Sequence, residues 1–285
     1  MRFLKKLIVA LTLAPALVLA NEGGFPLEHA PERPELASLQ NGAKLFVNYC
    51  LNCHSAAAMR YNRLRDIGLT EDQIKANLLF AGDKVGDLMK VSMSTKDAKE
   101  WFGAAPPDLS VIARAKASGA GTGGDWIYTY LRSYYRDSSR PTGWNNAVFP
   151  NVGMPHVLWE LQGAKRGAEI TDIKEVKDAS GKVTGLTETT VTFDEQGNRS
   201  EETKSLEGEH HHLGTHTKLM PVVGKQKLSA IEYDTAVADL VAYLEWMAEP
   251  AQTTRSALRV WVILFLSLFA LLAWRLNASY WKEVK

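Results

Sequence analysis

The chain has 285 residues and is close to electrical balance, with 33 lysines and arginines against 32 aspartates and glutamates. That balance, and the lack of a basic stripe interleaved with aromatics, argues against nucleic acid as a partner. About 230 residues lie between two apolar ends, enough for one large domain or two small ones, and no internal repeat is evident.

The first twenty residues open with Arg2, Lys5 and Lys6, run through an apolar stretch from Leu7 to Ala20, and reach the polar Asn21 through small residues. This is the layout of a secretory signal peptide, with cleavage after Ala20. The apolar run is short for an uncleaved membrane helix and holds Pro15. The sequence therefore predicts export, by the form of the presequence into a bacterial periplasm, an oxidising compartment.

Next comes Y-C-L-N-C-H-S, Tyr49 to Ser55, which contains both cysteines of the chain. Three chemistries use such spacing. A redox dithiol needs a strand before the motif and a βαβ frame around it, whereas Gly42, Phe46 and Cys50 recur every four residues on one helical face. A structural zinc site needs four ligands, and no second cysteine pair exists to complete it. His210, His211, His212 and His216 form a cluster that a zinc reading would have to recruit, although such a loop is more often solvated surface. Covalent haem attachment uses every residue of the motif: two thiols add across two vinyl groups, and His54 reaches the iron from the proximal side. One motif implies one haem c.

An electron-carrying haem needs a second axial ligand. Of seven methionines, Met1 leaves with the presequence, Met59 is too close to His54, and Met247 belongs to a helix before the membrane. Met89, Met93, Met154 and Met220 remain. Met154 is favoured because Gly153 and Pro155 flank it and Pro150 stiffens its approach; Met220 also precedes a proline, and His156 is the nearest rival ligand. A histidine–methionine pair gives one-electron chemistry of raised potential. No paired carboxylates or nucleophile–base pair point to a substrate site, so the chain reads as an electron carrier, and the sequence leaves open whether it is an enzyme in isolation. Were Met154 not to bind, an open-site haem enzyme or gas sensor would be the alternative.

From Gly167 to about Lys218, Thr and Val alternate between the turn signals A-S-G-K and E-Q-G-N, predicting one or two β-hairpins in an insertion over about 164–225. Eleven acidic and five basic residues lie between Glu169 and Glu209. Such a field would steer a basic protein towards the haem, or be only a solvated excursion. Further on, Tyr243 and Trp246 sit at helical spacing and are expected to cross the helix of Gly42 and Phe46. Ala257 to Trp274 carries a single charge, Arg259, near its start, and predicts a membrane anchor over 253–275 with Trp261, Trp274, Tyr280 and Trp281 at the interfaces. Residues 21–252 would then form the periplasmic domain and 276–285 a cytoplasmic tail.

Several segments together resemble the cytochrome c1 family, the haem subunit of the quinol:cytochrome c oxidoreductase (cytochrome bc1) complex. They are C-L-N-C-H-S with M-R-Y-N-R-L (Met59 to Leu64), A-P-P-D-L-S (Ala105 to Ser110), D-W-I-Y-T-Y-L-R (Asp125 to Arg132), R-P-T-G from Arg140, G-M-P-H-V-L-W (Gly153 to Trp159) and V-A-Y-L-E-W-M-A-E-P (Val241 to Pro250) with the anchor. The resemblance implies a mainly α, cytochrome c-like haem domain on a single C-terminal transmembrane helix. It implies Met154 as the axial ligand, a Pro107 carbonyl that orients His54, and Arg114 or Lys116 facing a haem propionate. It also implies cytochrome b and a Rieske iron–sulfur protein as partners in a dimeric complex of the bacterial inner membrane, and a soluble c-type cytochrome as acceptor. The runner-up is a membrane-anchored monohaem cytochrome c serving another oxidase or reductase.

Overall fold

A computed structural model describes residues 24–163, 165–206 and 213–282. The predicted signal peptide and His210, His211 and His212 lie outside them. The described chain forms two compact units, one of residues 33–92, 107–114 and 239–282, the other of 24–32, 93–106 and 115–238.

The unit that bears the cysteine motif begins with the helix Leu36–Leu45, which buries Ser38, Leu39, Gly42 and Ala43 along one face. It then widens into a π turn over Phe46–Cys50, closed by the Leu51 amide on the Phe46 carbonyl at 3.0 Å. Gly42 fixes how closely this helix approaches Asp239 and Tyr243, because a Cβ there would lie 2.1 Å from the Asp239 carbonyl oxygen and 2.6 Å from the Tyr243 Cβ. Phe46 and Tyr243 pack with ring centroids 5.5 Å apart, and Trp246 follows Tyr243 at 5.7 Å. The predicted helix crossing is present, and two hydrogen bonds pin it. Buried Asp239 accepts from Asn41 Nδ2 at 2.9 Å and Arg33 Nε at 3.1 Å, so its charge is not left unpaired.

After the motif, Ala56–Arg60 pairs antiparallel with Leu88–Met89, and a 3₁₀ turn over Tyr61–Ile67 follows. The unit ends in the helix Gln252–Tyr280, whose stretch Thr254–Tyr280 is long and apolar enough to cross a membrane. At 27 residues it measures about 40 Å, against a hydrocarbon thickness of about 30 Å. The helix continues past Arg275, the predicted end of the anchor, so residues 276–280 of the predicted tail are helical.

In the other unit the helix Gly123–Arg132 starts at a capping box: the Asp125 amide donates to the Thr122 hydroxyl, and the Thr122 amide to the Asp125 carboxylate. Its C-terminal turn is tied to the helix Ala230–Ala248, because Arg132 forks onto Asp234 at 2.7 and 2.9 Å and Tyr233 donates to the Leu131 carbonyl. Tyr134–Arg136 then pairs antiparallel with Trp144–Asn146.

The insertion is larger than the predicted hairpins. Strands Ala168–Lys177, Val183–Phe193, Arg199–Leu206 and Gly214–Leu219 form one antiparallel sheet, with the third and fourth strands at its edges and the first two at its centre. Both predicted turns occur, at Asp178–Lys182 and Asp194–Asn198, and Gly197 in the second adopts φ of 90°. Period-two alternation of Thr, Val and Ile drives this local choice; Ile170 faces Val191 across the ladder and packs with Tyr135, Ala168, Phe193 and Leu219. A mainly α domain is therefore only part of the architecture: a helix and its π turn lead into the cysteine motif, the anchor is a helix, and the insertion is a sheet of its own. Much of its acidity is paired along single strands, Asp172 with Lys174, Glu175 with Lys177, Glu201 with Arg199 and Glu202 with Lys204.

Candidate haem site

The π turn brings the cysteine motif round on itself. The Cys50 carbonyl accepts from the Cys53 amide at 3.1 Å and from the His54 amide at 2.9 Å, so both cysteines and the histidine belong to one tight turn. The two sulfurs are not joined to each other. Burial, with Cys53 adding to it, pushes the Cys50 thiol up to about 12. Thiol exchange uses a thiolate, which this environment opposes, whereas thioether formation leaves a neutral sulfur suited to it. Among the described residues, no group of three or more His, Cys, Asp or Glu side chains comes together as a metal site. His216 stands in the sheet opposite Thr171.

His54 is buried, and its Nδ1 lies 2.7 Å from the Pro107 carbonyl oxygen. A carbonyl can only accept, so Nδ1 carries the proton and the Nε2 lone pair is free for a metal. Burial holds the imidazole pKa below its ordinary value, and the Pro107 contact and the Asp108 charge only partly offset this; the ring is neutral, as a ligand must be.

Segment A-P-P-D-L-S is laced to the strand that leaves the motif. Leu109 N donates to Ser55 O at 2.8 Å, Ala57 N to Asp108 Oδ2 at 2.7 Å, and Ala58 N to Ser110 Oγ at 3.0 Å. Asp108 Oδ1 also accepts from Ser110 N at 2.8 Å, an Asx turn that stiffens the segment. Ser55 Oγ takes the Val91 amide at 3.0 Å. These bonds hold the Pro107 carbonyl in place, and the donor set of this unit fits a covalently held haem.

Met154 belongs to the other unit, in a loop that side chains pin from beneath. Asn146 Oδ1 accepts from the amides of Val148 at 2.9 Å and Phe149 at 3.1 Å, and Asn145 Oδ1 from that of Asn151 at 2.8 Å. Asn151 takes φ of 63°, and Arg140 Nη2 holds its carbonyl at 2.8 Å. The Met154 sulfur accepts from the Tyr130 hydroxyl at 3.4 Å; Tyr134 OH lies 2.7 Å from Tyr130 OH and 3.3 Å from the Met154 carbonyl. Burial pushes Tyr130 up to about 12, so it stays a phenol. His156 is stacked on Tyr134 at 4.8 Å, meets Trp144 edge-on at 5.0 Å, and uses Nε2 on Gln162 Oε1 at 2.7 Å. Burial lowers its pKa to about 4. It is packed as a core residue of its unit, which weakens it as a rival ligand.

Met89, Met220 and the two basic candidates have contacts of their own. Met89 is fully buried and takes the Tyr243 hydroxyl at 3.8 Å. Met220 lines Gly167, and its carbonyl accepts from Arg166. Arg114 lies 3.7 Å from Glu249, and the Lys116 ammonium sits over the Trp126 ring at 4.1 Å. Sequence reasoning assigned no role to Asn145, Asn146, Tyr130 or Tyr134. The tyrosine pair had no helical signal to find, since Tyr130 lies on the helix Gly123–Arg132 and Tyr134 opens the strand after it.

A model described as the Cytochrome C1 family matches residues 25–164. Cytochrome c1 of Allochromatium vinosum is 40% identical over 286 residues, which cover 99% of this chain and 100% of that protein. The chain belongs to the cytochrome c1 family. Cytochrome c1 of Rhodospirillum rubrum is 28% identical over 292 residues, 93% of this chain and 91% of that one. A Nitrosomonas europaea protein named ammonia monooxygenase gamma subunit is 40% identical over 285 residues, the full length of both. Like its family, the chain carries one covalent haem c, is membrane-anchored, and serves as an electron-transfer subunit of the cytochrome bc1 complex.

Proposed function

We propose that Cys50 and Cys53 form the two thioethers to the haem, that His54 Nε2 and the Met154 sulfur are its axial ligands, and that the chain relays electrons from a Rieske iron–sulfur protein to a soluble c-type cytochrome. When bound, the haem supplies a one-electron couple. The chain's own residues hold that couple steady. Covalent sulfur anchors prevent loss of the group in a wet compartment, and the Pro107 carbonyl fixes the His54 tautomer and raises its basicity. A restrained loop offers Met154 without the entropy cost of ordering it on binding. Lys116 and Arg114 are the basic residues offered to the propionates, Arg114 being partly engaged by Glu249.

What carries this reading is the His54–Pro107 contact, because it commits one ring nitrogen and leaves the other to coordinate. We assign the haem-bearing residues to the periplasmic side, with cytochrome b and the Rieske protein as neighbours in a dimeric complex. The relative named as an ammonia monooxygenase subunit favours a second reading, a membrane-anchored monohaem cytochrome in another oxidising system. Purification of the full chain from its native membrane separates them. Haem staining of the denatured chain, with cytochrome b and a Rieske protein in the same fraction, is the expected result. A chain that loses its colour on denaturation overturns the thioether assignment, and co-purification with other partners overturns the Rieske-to-cytochrome relay.

A further inference from the structure

The Met154 thioether is a weak ligand, and nothing in its loop sequence says what aims or tunes it. The answer is on the helix Gly123–Arg132 and the strand after it. Thioether sulfur has no hydrogen to give, so in the 3.4 Å contact Tyr130 must be the donor. Its only proton is then committed to sulfur, and the 2.7 Å contact between the two phenols must run from Tyr134 to Tyr130. Tyr130 is itself locked by stacking on Trp126, with centroids 4.8 Å apart and planes 12° from parallel, and by an edge contact with Tyr134 at 5.4 Å. A phenol that receives one hydrogen bond donates the next more strongly. The single proton of Tyr134 has two acceptors, the Tyr130 oxygen at 2.7 Å and the Met154 carbonyl at 3.3 Å, and the shorter contact takes it, so the relay runs from Tyr134 to Tyr130 to Met154.

We propose that Tyr130 is a positioning residue that sets the haem potential through the Met154 sulfur, with Tyr134 as the residue that orients it; this rests on Met154 being the axial ligand. A hydrogen bond to the sulfur draws density from the lone pairs that ferric iron needs more than ferrous iron does. It therefore favours the reduced form and raises the midpoint potential. It also holds the side chain in the rotamer that presents its free lone pair. The hydrogen bond that tunes the couple can be removed with loss of one oxygen atom.

The test uses the full holoprotein, extracted with its partner subunits, and compares wild type with Tyr130→Phe, Tyr134→Phe and Met154→Leu. Midpoint potential, the sulfur-to-ferric-iron charge-transfer band and carbon monoxide binding to the reduced haem are read for each. Tyr130→Phe should keep the band, lower the potential and increase carbon monoxide binding; Tyr134→Phe should shift the potential the same way by less. An unchanged or raised potential in Tyr130→Phe with the band intact overturns the proposal. Should Tyr130→Phe fail to assemble, Tyr134→Phe decides: a lowered potential supports the relay and an unchanged one overturns it. A band that survives in Met154→Leu, or is missing from wild type, overturns instead the ligand assignment on which the relay stands.

Discussion

The two proposed axial ligands are mounted by different kinds of chemistry. His54 is held through main chain at the contact itself: its Nδ1 rests on a carbonyl, and the segment bearing that carbonyl is laced to the next strand by one backbone bond and by two amides that the Asp108 and Ser110 side chains accept. Met154 is held by side chains: two asparagines shape its loop, and two tyrosines address its sulfur and carbonyl. A main-chain mount is insensitive to most substitutions at the contact itself but vulnerable wherever backbone packs on backbone. A side-chain mount can be adjusted one atom at a time, which makes it the place where potential is set.

The largest effect should therefore come from filling the space at Gly42. Gly42→Val places a Cβ against the Asp239 carbonyl, and backbone cannot move aside as a side-chain end can. The expected cost is about 3 kcal/mol or more, the upper range for overpacking. Denaturant unfolding of the detergent-solubilised chain, followed by haem absorbance, measures it. Native-like unfolding of Gly42→Val would show that the crossing is looser than its contacts imply.

Asp125 tests the other mount through the helix that carries Tyr130. Its carboxylate takes the amides of Ala30 at 2.8 Å and Thr122 at 2.9 Å. Burial pushes its pKa up, but these bonds outweigh that and hold it below the ordinary carboxylate value. A carboxylate with a depressed folded pKa stabilises the fold above its unfolded pKa and loses that contribution as pH falls through the folded one. The wild type should thus lose stability on acidification, with a flatter acid limb in Asp125→Ala. At neutral pH the variant should be about 2 kcal/mol less stable, because the buried Ala30 amide and the Thr122 amide lose their acceptor. An acid limb identical to wild type would remove Asp125 as the group that keeps this helix in place.

What could be read from sequence follows the same division. Cys50, Cys53 and His54 are legible because covalent haem attachment demands all three at fixed spacing, and the A-P-P-D-L-S resemblance carried Pro107 with them. Gly42, Phe46 and Tyr243 were legible because close helix packing writes itself as small and aromatic residues at helical spacing. The asparagines beneath the Met154 loop were not, since nothing in W-N-N marks them until their side-chain oxygens are seen accepting loop amides. The sheet was legible strand by strand but not as a sheet: alternation reports which residues face which side, and not that Gly214–Leu219 returns beside Ala168–Lys177. Nor could acid counting reveal that Asp172, Glu175, Glu201 and Glu202 each have a basic neighbour two residues away along the strand.

Asp108→Ala should fall between the extremes, since it removes the acceptor of the Ala57 and Ser110 amides and loosens the brace beneath Pro107 by about 1 kcal/mol. Pro107→Ala should have the smallest effect of all, because alanine keeps the carbonyl that His54 needs and forfeits only the ring's restraint of φ. The cost through the unfolded chain is below about 1 kcal/mol. Spectrum and midpoint potential should match wild type, in contrast to the shift expected when Tyr130 loses its hydroxyl. A potential that moves as far in Pro107→Ala as in Tyr130→Phe would mean that the proline ring, and not the lacing of Leu109, Asp108 and Ser110, aims the carbonyl. The contrast between a backbone mount and a side-chain mount would then give way to two side-chain mounts of equal standing.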